Sequence, residues 1–138
     1  KQCDIMKISE EEVAFVSAQE SLEEGVSFIR DNSDIKILFV TLGNKGSIAY
    51  YKDEKIYCRG IHQEHVVDTT GAGDTFCGAV LSRILELGTD ALTEKDIREM
   101  LLFANAAASI VVTRKGALCS MPEPEEIRAA SSLIDKVL

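Results

Sequence analysis

Positive charge is scarce in this sequence. Fifteen Lys and Arg stand against 23 Asp and Glu, a formal net charge of −8 over 138 residues. General binding to nucleic acid or to an anionic membrane surface needs a basic footprint, and so acidic a chain argues against both. A small anionic ligand is not excluded, because a few backbone amides can hold one. Long apolar runs are missing too. A membrane span takes roughly 20 such residues, whereas the richest stretch, Leu101 to Val112, is short and carries Asn105 and Ser109. The four cysteines (Cys3, Cys58, Cys77, Cys119) lie far apart without a CxxC pair, and neither His62 nor His65 stands near them at zinc spacing. That pattern reads as reduced thiols in a cytoplasm, not as a disulfide framework or a metal site. No secretory leader opens the chain. It begins at Lys1 on a strand-like run, as though cut from something longer.

What is present suits one packed domain. The hydrophobic fraction is 46% and the charged fraction 28%, ordinary values for a globular chain. Cys3 to Ile8 reads as a buried strand. Ser9 and Glu12 have capping-box spacing, so a helix begins there with Val13 and Val16 on its apolar side. A second helix spans Ser21 to Asp31 with Leu22, Val26 and Ile29 at helical spacing. The continuous run Ile35 to Val40 marks a central strand covered on both faces. Ser47 to Lys52 and Lys55 to Arg59 read as a hairpin turning at Asp53-Glu54, and Glu64 to Val67 as a short further strand. Helices follow at Ala72 to Leu87, with Phe76, Ala79, Val80 and Ile84 on one side, and at Glu94 to Val112 behind a Thr93 cap. After Pro122 and Pro124 a last helix runs to Leu138, carrying Ile127, Leu133, Ile134 and Val137. Strands alternating with helices predict an α/β fold with a mostly parallel sheet and one hairpin.

One segment carries chemistry: Val66-Val67-Asp68-Thr69-Thr70-Gly71-Ala72-Gly73-Asp74-Thr75-Phe76-Cys77-Gly78-Ala79. A strand ends, a glycine turn follows, and a helix starts at the turn. The first helical turn leaves N–H groups unpaired, at the positive end of the macrodipole. Gly71 and Gly73 remove the Cβ atoms that would keep a phosphate away. Asp74 would repel that phosphate, so its carboxylate is better explained as a base for a hydroxyl. Taken alone, the same glycines equally well make a tight turn, with Asp74 a favourable first-turn charge. A dinucleotide fingerprint fails because Phe76 stands where its third glycine belongs. There is no GxxxxGK[ST], so a P-loop is excluded.

From Asp68 to Leu81 the segment resembles the C-terminal signature of the ribokinase-like (PfkB) carbohydrate kinases. Three further stretches fit that family in order. Thr41-Leu42-Gly43-Asn44-Lys45-Gly46 resembles its nucleotide loop, and Phe103 to Ala108 the helix beside the adenine. Val112 to Ala117, with Ser120 and Pro122, resembles its cation loop. The resemblance implies a ribokinase-like fold. It makes residues 1–138 the C-terminal portion of a sugar kinase domain, without the N-terminal part, the sugar pocket or the lid.

It also implies roles. Asp74 would take the proton from a sugar's primary hydroxyl as the γ-phosphoryl group leaves ATP, and the amides of Gly71, Ala72 and Gly73 would form the anion hole. Thr41, Leu42, Gly43, Asn44, Lys45 and Gly46 would line the ATP phosphates and ribose, with Asn105 near the adenine. Asn105 has an equal alternative in bonding core backbone. A potassium-like cation (K+) would sit among Asp68, Thr70, Val111, Arg114, Gly116 and Ser120. Glu12 would meet Mg2+ through water, although Ser9 replaces the usual asparagine of that motif and a capping role suits Glu12 as well. His62 and His65 read as loop residues, and Cys77 as small packing. Sugar and ATP are the implied partners, and the family allows a homodimer of the full-length protein. Lys7-Ile8-Ser9-Glu10-Glu11-Glu12 is similar to the corresponding stretch of fructokinases. Ribokinase and 2-keto-3-deoxygluconate kinase stay open, as does a non-catalytic nucleotide-binding module, against which the intact Asp74 counts. The portion alone is expected not to turn over a sugar efficiently.

Overall fold

Ser9 closes the first strand and opens the first helix. In the computed structural model, which describes residues 3–135, β1 (Ile5–Ser9) runs directly into α1 (Glu10–Ser17). Ser9 Oγ accepts the Glu12 N–H at 3.1 Å, and the Glu12 carboxylate accepts the Ser9 N–H at 2.7 Å. This is the reciprocal cap that the spacing predicts. After α2 (Leu22–Asp31), capped by Ser21, the chain returns as β2 (Ile37–Thr41), parallel to β1. The hairpin β3 (Gly46–Tyr51) and β4 (Glu54–Arg59) follows, then α3 (Ala72–Leu87), α4 (Glu94–Val111) and α5 (Pro124–Asp135).

The sheet has the order β1-β2-β3-β4. Only β1–β2 is parallel, while β2–β3 and β3–β4 are antiparallel. A mostly parallel sheet is therefore corrected to a mixed one, because the hairpin supplies two of the three pairings. Alternation along β2 splits the core. Ile37 and Phe39 face a cluster with Phe76, Val80, Ile97, Leu101 and Ala104 of α3 and α4, whereas Leu38 and Val40 face Val13, Val26 and Ile29 of α1 and α2. The first four residues of β2 are buried, as a strand covered on both faces requires. Each such side chain contributes about 1.5–3 kcal/mol by burial.

Several boundaries and faces differ from the sequence reading. The hairpin turns at Lys52-Asp53, since Tyr51 pairs with Glu54. Lys52 takes the positive φ (51°) that so short a loop demands. Val16 is half exposed, because the short α1 presents only Val13 and Ser17 to the core. Glu64 to Val67 is not a strand. The segment lies beside the end of α4, where the Val112 carbonyl accepts the N–H groups of Val67 and Asp68 at 2.8 and 3.2 Å. Leu133 and Ile134 of the last helix lie outside the residues whose side chains are described, and Val137 and the expected end of that helix at Leu138 lie outside the described residues.

Candidate active site

Three chain segments meet at one end of the sheet. The end of β1 and β2, the loops flanking the hairpin, and the start of α3 enclose a cleft of about 530 Å³. Its wall includes Lys7, Ser9, Thr41, Asn44, Gly60, His62, Thr69, Ala72, Gly73, Phe76, Asn105 and Ser109.

The floor at α3 follows from two glycines with different tasks. Gly71 has φ 84°, and a Cβ there would meet the Cβ and Cα of Ala117 at 3.0 and 3.2 Å. It therefore supplies a left-handed turn and a close approach at once. Gly73 has ordinary helical backbone, and a Cβ there would meet only the Lys7 ammonium, at 3.1 Å. No side chain caps this helix. The Ala72 amide is turned onto the Thr69 carbonyl at 3.3 Å, while the amides of Gly71 and Gly73 meet no acceptor among the described residues. Phe76, packed edge-on against Phe39 at 6.4 Å between ring centroids, fixes this turn to the sheet. Asp74 follows Gly73 in the first turn. It is exposed, has no ion pair among the described residues, and does not itself line the cleft.

The opposite wall is the loop after β2. Thr41, Gly43, Asn44 and Gly46 line the cleft; Leu42 turns into the core, and Lys45 turns out to Glu10 at 3.6 Å. The loop holds its shape through glycine. At Gly46 (φ 117°) a Cβ would lie 2.2 Å from the Cys58 carbonyl, and at Gly60 one would lie 2.3 Å from the Asn44 carbonyl. No other side chain fits between these strands.

Asn105 borders the cleft from α4, yet its amide is spent internally. It accepts from Ser47 Oγ at 3.0 Å and donates to the Cys58 and Arg59 carbonyls at 3.2 and 3.4 Å. This ties α4 to the hairpin behind the loop. Burial pushes the neighbouring Cys58 thiol upward in pKa.

The residues expected around a cation divide. Asp68 Oδ1 accepts the Thr70 N–H at 2.9 Å, and Oδ2 accepts the Gly116 N–H at 3.2 Å, so Asp68 fastens the glycine turn to the later loop. Hydrogen bonds from Thr70 and then from the Gly116 backbone hold its carboxyl below the usual aspartate range. Ser120 Oγ donates to the Gly116 and Ala117 carbonyls. Arg114 instead pairs with Glu126 at 2.5 Å, and the Val111 carbonyl is taken by the Arg114 N–H at 3.0 Å. Glu12 stays in its cap, where the Ser9 N–H, assisted by Lys7, keeps its carboxyl below the usual glutamate range. Sequence reasoning left Lys7 and the Gly60–Gln63 stretch out of the cleft and treated His62 as a plain loop residue. Only the alternation of Lys7 with Ser9 on β1 signalled that the lysine shares the site's face.

Comparison with known proteins places the fold and the family. Residues 1–124 match the pfkB family carbohydrate kinase profile. The chain is 39% identical over 129 residues to Fructokinase-1 of Oryza sativa subsp. japonica, covering 91% of this chain and 39% of that protein. Among solved structures, fructokinase from Vibrio cholerae O395, bound to fructose, ADP and calcium ion, superposes with a TM-score of 0.81 at 33% identity, over 91% of this chain and 40% of that one. Arabidopsis thaliana ribokinase complexed with ribose and ATP gives 0.77 at 33% identity, over 93% and 40%. The chain thus spans about two fifths of the length of the relatives it matches, and its fold is ribokinase-like. With the glycine turn and the loop after β2 lining one cleft, and the family profile matching residues 1–124, this chain belongs to the pfkB family of carbohydrate kinases.

Proposed function

We propose that the protein carrying this chain transfers the γ-phosphoryl group of ATP to a primary hydroxyl of a sugar, with fructose as the preferred acceptor. One observation carries the reading: an uncapped helix N-terminus with glycine-bared amides, and an exposed, unpaired aspartate one residue further on. Phosphoryl transfer is mostly positioning and charge stabilisation. The amides of Gly71 and Gly73, with Ala72 between them, bind the oxygens of the migrating group. The Asp74 carboxylate accepts the hydroxyl proton as the new O–P bond forms. Thr41 to Gly46 hold the phosphates and ribose, and Asn105 keeps the hairpin and α4 in register behind them.

The donors present suit the expected ions. Asp68 and the carbonyls around Gly116 are oxygen donors, the class that hard cations take, so Asp68, Thr70, Gly116 and Ser120 would hold a monovalent cation beside the glycine turn, with Val111 and Arg114 behind them. Such an ion would add positive potential to the anion hole. Among the described residues no cluster of three metal-ligating side chains exists, which suits a magnesium ion carried by the phosphates themselves with few protein ligands, Glu12 reaching it through water. Identity to fructokinases favours fructose; ribose, the sugar in the superposing Arabidopsis thaliana ribokinase structure, is one alternative acceptor and 2-keto-3-deoxygluconate another. The sugar pocket is assigned to segments outside these residues, so the 138-residue chain alone binds nucleotide without efficient turnover.

The test is Asp74→Asn in the complete polypeptide, assayed for ATP-dependent phosphorylation of fructose, ribose and ketodeoxygluconate. Loss of about 10²–10⁴ in kcat is the result expected of a general base. Near-normal turnover would remove Asp74 from the chemistry.

A further inference from the structure

We infer that Arg114 and Glu126 are positioning residues of this site. Their ion pair ties the 113–120 loop to the start of α5, and through that loop it sets the glycine turn at the head of α3. The inference rests on the phosphoryl transfer proposed above, in which the amides of that turn meet the migrating group.

The loop has no apolar anchor of its own. Among the described residues, none from 112 to 126 belongs to either core cluster, and Lys115, Leu118 and Cys119 are exposed. So few apolar contacts put a segment at the low-stability end of a fold. Yet this loop stands at close quarters with the turn. A Cβ on Gly71 would lie 3.0 and 3.2 Å from the Cβ and Cα of Ala117. The Gly116 N–H donates to Asp68 Oδ2 at 3.2 Å, and Asp68 Oδ1 accepts the Thr70 N–H at 2.9 Å. A shift of the loop is therefore passed on to residues 70 and 71.

Among the described residues, two hydrogen-bonded side-chain links join the loop to other elements. Asp68 is one, and Arg114 is the other. The Arg114 guanidinium donates to the Ser120 carbonyl at 3.4 Å and to the Glu126 carboxylate at 2.5 Å. It thus closes the loop across its base, from residue 114 to residue 120, and fastens it to α5 in the same stroke. The far partner is itself held. The second oxygen of Glu126 accepts the Glu123 N–H at 2.9 Å, and the next residue, Ile127, is buried in the cluster with α3 and α4. The loop is in this way referred to the core by a polar clamp.

Magnitudes separate this role from plain stabilisation. The two side chains are 37% and 44% exposed, and ion pairs in such positions add little to global stability. Geometry at reacting groups is far more sensitive, since a misplacement of about 1 Å can cost about 10²-fold in rate. Breaking the clamp should therefore show in turnover and hardly at all in unfolding.

The experiment compares Arg114→Met, Glu126→Gln, their double variant, Arg114→Lys and Asp74→Asn in the complete polypeptide. Arg114→Met keeps the apolar stem, and Glu126→Gln keeps an acceptor for the Glu123 N–H. Each should lower kcat by about 10–10²-fold, with the sugar KM unchanged and the urea midpoint moved by less than about 0.5 M. Hydrogen exchange of residues 113–120 should speed up in both. The double variant should lose no more than the larger single loss, because either change removes the same contact. Arg114→Lys keeps the charge without the fork and should recover part of the lost kcat. Turnover of both single variants within about threefold of wild type, with Asp74→Asn inactive, would overturn the inference and leave the reaction standing. Single losses that multiply in the double variant would also overturn it, as would a kcat loss accompanied by a larger fall in urea midpoint, the mark of a merely structural pair. If Asp74→Asn keeps its turnover, the proposed reaction itself fails, and the positioning role with it. Should Arg114→Met not fold, Glu126→Gln, which leaves the arginine in place, carries the same comparison.

Discussion

Gly71 and Gly73 lie two residues apart in one turn, and alanine should act on them in opposite ways. At Gly71 the backbone is left-handed, with φ 84°. Placing an L side chain there costs about 1–2 kcal/mol. Its Cβ would also press on Ala117 at 3.0 Å from one carbon and 3.2 Å from another, so the 113–120 loop has to move by a few tenths of an ångström. At Gly73 the backbone is helical, and the only obstacle is the far end of a flexible lysine at 3.1 Å. Alanine in a helix is favoured over glycine by up to about 1 kcal/mol. The two variants should therefore differ in stability by about 1–3 kcal/mol, with Gly71→Ala below wild type and Gly73→Ala at or above it. Activity should not follow stability. The methyl of Gly73→Ala occupies the gap over the amides, and kcat should fall by about 10²-fold, the scale of one lost oxyanion donor. Equilibrium urea denaturation and a coupled kinase assay on both variants give the two numbers. A Gly73→Ala protein as unstable as Gly71→Ala would refute the geometry of the turn. A stable and fully active Gly73→Ala protein would refute the placement of the phosphoryl group.

Two further outcomes follow from hydrogen bonds at the edges of the site. Asn105→Ala leaves the fully buried Ser47 hydroxyl without the acceptor it holds at 3.0 Å, which should cost about 1–3 kcal/mol. A Ser47→Ala, Asn105→Ala double mutant should lose less than the sum of the two changes, and strict additivity in a denaturation cycle would show the pair uncoupled. Asp68 has its carboxyl pKa lowered by Thr70 and Gly116, so the ionised form is the one the fold favours. Its contribution is complete above the unfolded value of about 3.9 and is lost as pH falls through the lower, folded value. Wild type should therefore lose stability more steeply than Asp68→Asn on acidification below about pH 4, in thermal melts taken across that range. Identical slopes for the two proteins would argue against the Asp68 anchor.

The parts of this molecule that could be read from sequence are those set by local chemistry. Ser9 and Glu12 lie three residues apart, and a capping box needs nothing further away. Gly71, Gly73 and Asp74 are likewise neighbours on one turn, and the limits of α3 came out as expected. The sheet was misjudged because strand direction depends on partners, not on the composition of a run. Ile37 to Thr41 reads the same whether its second neighbour is parallel or antiparallel. Val66 and Val67 look like a strand, yet both are more than half exposed, and the N–H groups of Val67 and Asp68 go to Val112 at the end of α4 instead of to a strand. Lys7 was missed for the converse reason. A single lysine in an apolar strand gives no periodic signal, and its place appears only once Phe39 is paired with it and Gly73 lies beside its ammonium. Asn105 could not be settled either, because one amide can serve the cleft or the hairpin until the positions of Ser47 and Cys58 are known.

Net charge points away from a polyanionic ligand, and the cleft shows why that inference does not reach the site. At physiological ionic strength, interactions between exposed charges fade beyond about 8 Å, so the net charge of the whole chain does not set the potential inside the cleft. There the charged lining residues are Lys7, Glu10 and Glu11. Glu10 is drawn toward Lys45 at 3.6 Å, and Glu12 gives one oxygen to the Ser9 N–H at 2.7 Å. Both are partly engaged away from the glycine turn. What faces the gap above Gly73 is an open helix N-terminus and one ammonium, and Asp74 lies just outside it. In the proposed reaction a carboxylate at that edge would meet the incoming hydroxyl before the phosphate. Donors first and carboxylate next along this turn is the order that proposal requires, and it suits transfer of an anionic group to an alcohol better than simple retention of an anion.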